Sequence, residues 1–477
     1  MRKLWSTVAI AMLGLVPLSA SAETLTDALI SAYRSSQLLE QNQAILRSAD
    51  EDLASAVGSL LPVLRWEAQI NAQSSFITNP TTFDKFRGLE GQQPVGTNDV
   101  LSLVASMTLF DFGRGRLSID LRNALVRASQ HSLVNVEQGI LLDAVAAYVN
   151  FGLQVQLVAA QEANVRLITQ DLRAAKDRFE VGEVTRTDVA LAEAQLASAR
   201  SALAAAQGDY NIAREGYKAS IGNYPNRLTG LPKMPVTASS LEAARALATR
   251  THPAILRAQE QARAQDIAIE IARANMLPSV SGSARLSQTY SGDGAGAVFS
   301  GGSVGPISES VSIGMSQTIY QGGQLSSQLR KSIADSQQFH AILLQTVIDV
   351  EEAVGNAWSR ILVAQASIVA GDEQIRAAQA AYDGVKQEAE LGSRTTLDVL
   401  DADQNLLSAK ALRLQAGANL YISRYQLLSA MGLLTAEHLR LGIPTFDPSA
   451  YLNAVKNAPA TSARGAKLDV ILKKLGK

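Results

Sequence analysis

Asp398 and Asp401 are the pair of side chains in this sequence whose types and spacing could do chemistry, and that chemistry is electrostatic rather than covalent. Three residues apart on a helix, two carboxylates share one face. Copied by symmetry around an opening, such pairs would repel one another, hold some of their protons to higher pH and concentrate cations, multivalent ones above all. A plainer role competes. Thr395 can cap a helix with Asp398 in the capping-box position, and the helix dipole favours acids in a first turn. Capping does not require Asp401. Thr185 and Asp188 repeat the arrangement. No cluster of nucleophile, base and orienting group accompanies these residues, and His131, His252, His340 and His438 are scattered without metal-ligand spacing in a chain that has no Cys. The pattern argues against an enzyme, a metal centre or a bound cofactor. Gly292, Gly294 and Gly296 mimic a nucleotide loop, but no helix follows and no Lys lies near, so they read as loop.

Each Thr-x-x-Asp follows a glycine-centred break, Val181-Gly182-Glu183 or Leu391-Gly392-Ser393, at the end of a helical pattern far longer than a globular core needs. The first begins near Arg114, after Leu109-Phe110-Asp111-Phe112-Gly113, and runs to Phe179, about 95 Å at about 1.5 Å per residue. The second begins after Ile319-Tyr320-Gln321-Gly322-Gly323 and runs to Glu390. Rods of that length have no interior of their own and must bury their apolar surface on other helices. After the first break, Val189, Ala192, Leu196, Ala199, Leu203, Ala206, Tyr210, Ala213 and Tyr217 recur at spacings of three and four, a coiled-coil seam. Its copy, from Val399 to Leu427, is joined by a second stripe from Leu407 to Leu428. Two seams call for two neighbours. A curved sheet of helices closing into a hollow cylinder satisfies them; a solid bundle or an extended scaffold is the other reading.

The two halves are copies. Residues 24 to 60 read as one helix, opening at Thr24 or Thr26 and ending before Leu61-Pro62, and the chain 216 residues later repeats it up to Leu277-Pro278. After each Leu-Pro comes a run that alternates with period two. Leu64, Trp66, Ala68, Ile70 and Ala72 interleave with Arg65, Glu67, Gln69, Asn71 and Gln73, and Leu101, Leu103, Ala105, Met107 and Leu109 oppose Ser102, Ser106 and Thr108. The second copy, around Val280 to Ser287 and Ser310 to Ser316, does so more weakly. Runs of about ten or eleven residues suit tilted strands crossing a bilayer. One half-buried face of a soluble sandwich is the alternative, but nothing else in the sequence supplies a second sheet. Four strands cannot close in lipid, so subunits must share the barrel; two would give eight strands filled with side chains, three would give twelve around a water-filled lumen.

Arg2, Lys3, the apolar run Val8 to Val16 and Ala20-Ser21-Ala22 read as a secretory signal peptide cleaved before Glu23. No later run of about 18 consecutive apolar residues suggests a transmembrane helix. With 47% hydrophobic but only 5% aromatic residues, the composition suits packed rods. A net charge of −1 predicts no nucleic-acid partner. Lys456, Arg464, Lys467, Lys473, Lys474 and Lys477 make the last stretch a basic, solvated tail. The expected order is a signal peptide over 1–22, a first repeat over 23–239, a second over 240–432 and a tail over 433–477, with the connection Gly222 to Ser239 at the waist.

The Leu-Pro before each strand, Ile319-Tyr320-Gln321-Gly322-Gly323, and Leu391-Gly392-Ser393-Arg394-Thr395-Thr396-Leu397-Asp398-Val399-Leu400-Asp401-Ala402 resemble the TolC family of outer-membrane export ducts. Phe179-Glu180-Val181-Gly182 and Thr187-Asp188-Val189 resemble it too. Leu46-Arg47, Asp50-Glu51-Asp52 and the missing lipobox Cys look most like its type I secretion branch. The resemblance implies an α+β membrane protein of duplicated helix-strand-strand-long helix-helix units. It would be a homotrimer in outer-membrane lipid, with a 12-stranded β-barrel continued by a long periplasmic α-helical tunnel. The duct would meet a periplasmic adaptor (membrane fusion) protein and an inner-membrane ABC transporter or proton-driven efflux pump. Carboxylates matching Asp398 and Asp401 would ring the entrance; Arg394, Asp188 and Arg186 would belong to the network holding it shut; the turns at Gly182 and Gly392 would touch the adaptor. For Asp188, capping and gating stand level. The family's gating Tyr is Ala389 here. Type I protein secretion is the expected task, with multidrug efflux and a non-conducting periplasmic scaffold as the alternatives.

Overall fold

The structure, a computed structural model, describes residues 22–74, 76–77, 91–92, 96–235, 237–293, 302–444 and 446–455, with Lys467 and Val470. The signal peptide up to residue 21, Gly294, Gly296 and most of the basic tail lie outside the described residues. Helices α1 (Leu25–Ser35) and α2 (Gln37–Gly58) precede strand β1 (Val63–Gln73), the short pair β2 (Phe76–Ile77) and β3 (Gly91–Gln92), and strand β4 (Gly96–Phe110). Helices α3 (Arg114–Glu180) and α4 (Arg186–Ile221) complete the first copy. The second has α5 (Leu241–Thr251), α6 (Pro253–Ala274), β5 (Ser279–Asp293), β6 (Ser303–Ser316), α7 (Gln324–Glu390) and α8 (Thr396–Ala430), and α9 (Pro448–Val455) follows.

Both long helices have 67 residues and stop where the glycine breaks place them. The stretch expected to be one helix from Thr24 is two. Thr24 does cap α1 through a capping box with Asp27, but Ser36 is extended (φ −72°, ψ 112°). The cause is tertiary: the Ser31 and Ser35 hydroxyls donate to the Ile221 carbonyl oxygen at 3.1 and 2.9 Å, so the end of α4 is tied to the last turn of α1. In the second copy Pro253 makes the same break locally, because the residue before a proline is pushed out of the helical region, and His252 is extended (φ −68°, ψ 123°).

The four long strands form one antiparallel sheet in the order β1-β4-β5-β6. Residues directly opposite share a face, so Trp66, Leu103 and Leu286 form one row and Leu64, Ala105, Ala284 and Val311 the next. That apolar face is uncovered: Trp66 is 66% exposed and Val311 84%. Glu309 interrupts it on edge strand β6. Three strands, at 14 or 15 residues, exceed the expected length. The extra residues of β4 and β5 pair beyond the apolar rows, where Ser291 bonds Asn98 at 2.8 Å and Thr97 bonds the Gly292 carbonyl at 3.0 Å.

The chain divides into two compact units, Met1–Gln37 with Glu137–Ala244 and Val354–Ile443, and Leu38–Val136 with Arg245–Ala353 and Pro444–Lys477. The sheet belongs to the second. In the first, Tyr148 is fully buried with its hydroxyl 3.0 Å from the carbonyl oxygens of both Glu23 and Thr229; Tyr217 packs beside it, and Phe151 packs on Tyr217. Averaged over 18 residues, part of α3 is apolar enough by composition to cross a membrane, although no unbroken apolar run occurs. Its apolar residues Leu141, Ala144, Val145 and Tyr148 are core, packed inside the protein. The seam along α4 is buried at Ala192, Leu196, Ala199, Ala213 and Tyr217, and both stripes of α8 are covered within the single chain.

Candidate functional site

The two glycine turns lie in the first unit and are built alike. Gly182 donates to the Phe179 carbonyl at 3.0 Å and Glu183 to the Arg178 carbonyl at 2.9 Å; Gly392 donates to Ala389 at 3.1 Å and Ser393 to Glu388 at 2.9 Å. This closure leaves the residue after the last turn left-handed, at φ +81° for Gly182 and +78° for Gly392, which glycine reaches without a Cβ clash. Three residues on, the next helix opens. Asp188 Oδ2 accepts from the Thr185 backbone at 2.8 Å and its hydroxyl at 2.7 Å, while the Asp188 N–H donates back at 3.3 Å. Asp398 Oδ2 accepts likewise from Thr395 at 2.9 and 2.8 Å, with the return bond at 3.3 Å.

Both aspartates are therefore helix caps. Hydrogen bonds from the Thr395 backbone and then its hydroxyl hold the Asp398 carboxyl below its usual range; for Asp188 the Thr185 hydroxyl comes first and the backbone second. Within one chain the shift runs opposite to the rise expected of a carboxylate ring, because the cap donors favour the ionised form and a ring needs further chains. Asp401, one helical step on, is exposed and outside the cap. Arg394 donates from Nε to Glu388 Oε2 at 2.8 Å. Arg186 is exposed and has no ion pair among the described residues.

A cavity of about 640 Å³ opens between the turns, lined by Glu183, Thr185 and Asp188 from one side and by Ala389, Gly392, Arg394 and Thr395 from the other. It brings Asp188, Arg394 and Gly392 together; Gly182, Arg186, Asp398 and Asp401 are not in its wall. Asp171 and Lys386 also line it. Sequence reasoning missed Asp171 and its companion Asp403, which is 8% exposed on α8. One Asp171 carboxylate oxygen is buried without a hydrogen bond, beside the apolar cluster of Ile168, Leu196, Ala199 and Leu400. A signal existed: stepping the Leu407 stripe of α8 back by four and then three lands on Asp403 and Leu400, so a carboxylate stands at a core position.

Burial pushes both carboxyls up, opposed by Lys386 at Asp171; at Asp403 the Asp171 charge adds to the rise and Lys410 opposes it. A carboxyl held above its unfolded value binds its proton more tightly when folded, so its contribution is most favourable below about pH 4 and turns against folding as pH climbs through the raised value. Asp403→Asn is therefore expected to raise the thermal midpoint near neutral pH, with the gain over the parent shrinking as pH falls towards about 4. Melting curves across that range check it, and a constant difference at all pH values would contradict it.

The profile of the outer membrane efflux protein family matches residues 29–223 and 244–433, one match for each structural copy. The chain belongs to that family. It is 33% identical over 446 residues to the outer membrane efflux protein BepC of Brucella suis, covering 92% of each chain. To the outer membrane protein TolC of Escherichia coli it is 25% identical over 462 residues, covering 94% of this chain and 90% of TolC. The solved structure of VceC from Vibrio cholerae has the same fold, with a TM-score of 0.71, 20% identity and coverage of 86% of this chain and 96% of that one. The fold is thus the family's α+β design, in which duplicated units build a trimeric 12-stranded barrel continued by a periplasmic helical tunnel. The protein is an outer-membrane efflux channel, and family members work as homotrimers with a periplasmic adaptor and an inner-membrane pump.

Proposed function

We propose that this channel is the exit duct of a periplasm-spanning pump complex, that it carries proteins in type I secretion, and that Asp398 and Asp401 ring its periplasmic entrance. The observation that carries the duct reading is the four-stranded sheet with one uncovered apolar face, whose edge strands β1 and β6 each pair on one side only among the described residues. Lipid supplies no partners for such edges, so further copies must close the sheet. The secretion reading draws support from the sequence around Leu46 to Asp52 and from the absence of Cys. Small-molecule efflux is the second reading, favoured by the similarity to BepC, an outer membrane efflux protein. Deleting the gene should empty the culture medium of at least one secreted protein while drug tolerance stays intact. Hypersensitivity with an unchanged set of secreted proteins would move the assignment to efflux, and purified trimer without conductance in planar bilayers would end the duct reading altogether.

The turns at Gly182 and Gly392 are the proposed adaptor contacts, with an ABC transporter as the pump behind them. Arg394, Asp188 and Arg186 form the proposed closing network, in which Arg394 is braced by Glu388. Arg394→Ser should raise closed-state conductance about twofold or more by removing a fixed charge and its tether from the constriction. Glu388→Gln should raise it less, since the guanidinium stays. Identical single-channel traces for Arg394→Ser and the parent would remove Arg394 from the gate.

A further inference from the structure

The polar face of the sheet carries a charge network that the entrance does not explain. Arg65 lies opposite Val104, which in turn lies opposite Arg285, so both guanidiniums stand in one row across β1, β4 and β5. Glu67, in the neighbouring row, accepts from Arg65 Nη1 and Arg285 Nη2, each at 3.4 Å, and Arg285 Nη1 donates to Ser102 Oγ at 3.0 Å. All three side chains remain solvent-accessible, at 63% for Arg65, 45% for Arg285 and 37% for Glu67. The other residues paired on this face are Ser, Thr, Gln, Asn, Gly and Val, apart from Asp293 in the outermost row. Two cations share one carboxylate, so each chain adds one net positive charge at this level.

We propose that Arg65, Arg285 and Glu67 form an anion-attracting ring inside the barrel, a second filter opposite in sign to the entrance carboxylates and in series with them. The inference rests on the duct reading, because only a closed barrel with its apolar face in lipid turns this polar face towards a lumen. Three copies would give a belt of six guanidiniums and three carboxylates with a net charge of +3. A ring of fixed charge attracts counter-ions over about one Debye length, about 10 Å at 0.1 M salt and about 3 Å at 1 M. In a wide barrel its influence must therefore fade as salt rises. The ring would favour passage of substrates or segments bearing carboxylate or phosphate groups, which Arg recognises in bidentate fashion.

The test is the reversal potential of the full-length trimer in planar bilayers under a potassium chloride gradient, on the parent and on an Asp398→Ala/Asp401→Ala background that unmasks the barrel. Arg65→Gln with Arg285→Gln should lower the chloride-to-potassium permeability ratio about twofold at low salt, and Glu67→Gln should raise it. Both effects should vanish near 1 M salt. Glu67→Gln makes the opposite change without removing either arginine, so a barrel damaged by the double Arg substitution cannot imitate the pair of results. Conducting trimers whose permeability ratios are equal with and without the Arg65→Gln/Arg285→Gln and Glu67→Gln substitutions, in both backgrounds, would overturn the ring while leaving the duct intact. No conductance in any, the parent included, would overturn the duct and the ring with it.

Discussion

Asp401→Ala should weaken block by multivalent cations and lower cation preference while leaving the helix start untouched, and adding Asp398→Ala should bring the loss of block to about tenfold or more. The order matters because the two carboxylates are structurally unequal. Asp398 closes the capping box with Thr395, so its removal perturbs the first turn of α8 as well as the charge. Asp401 is exposed and takes no part in the cap, so its loss reports on charge alone. Thr395→Ala supplies the complement: it should cost roughly 1 kcal/mol of local helix stability, as cap losses do, with selectivity preserved. Block constants for trivalent and divalent cations, read on trimers of verified mass, decide the matter. If Asp401→Ala leaves block and selectivity at the parent values, the pair has only the capping role of Asp398.

Gly222→Ala should be among the most damaging small substitutions in the chain. Gly222 ends α4 in a left-handed conformation, φ +97°, with its N–H donating to the Lys218 carbonyl at 2.9 Å. A methyl group there meets two penalties. The conformation costs about 1–2 kcal/mol for an L-residue, and the added Cβ would fall 2.5 Å from Ser35 Oγ and 2.6 Å from Ser35 Cβ. Ser35 cannot simply retreat, because its hydroxyl holds the Ile221 carbonyl at 2.9 Å and thereby ties α4 to α1. The expected result is a clear drop in thermal midpoint and a fall in assembled protein. Gly208→Ala is the matched control on the same helix: nothing lies within 4 Å of its added Cβ, and alanine is the better helix former, so it should be neutral or slightly stabilising. Equal melting of the two variants would show that the α1–α4 tie carries little stability.

Features set by short-range chemistry were legible before any fold was known. The ends of α3 and α7 lie where a glycine is followed three residues later by Thr-x-x-Asp, since a left-handed closure and a capping box are each set within about six residues. The duplication and the face of each strand were legible too, because a period of two survives any register. Other features required distant parts of the chain to meet. Ser36 looks helical until the Ile221 carbonyl claims the serines before it, whereas its counterpart His252 precedes a proline that announces the break. Arg65, Glu67 and Arg285 become a network only through the register of three strands. Asp171 and Asp403 are 232 positions apart in sequence and share one buried neighbourhood, beside Tyr382, only because α3, α7 and α8 pack together. A helical period says which face is buried, but not which other face it meets; that pairing is set by how the side-chain ridges of distant helices fit, which no local stretch of sequence encodes.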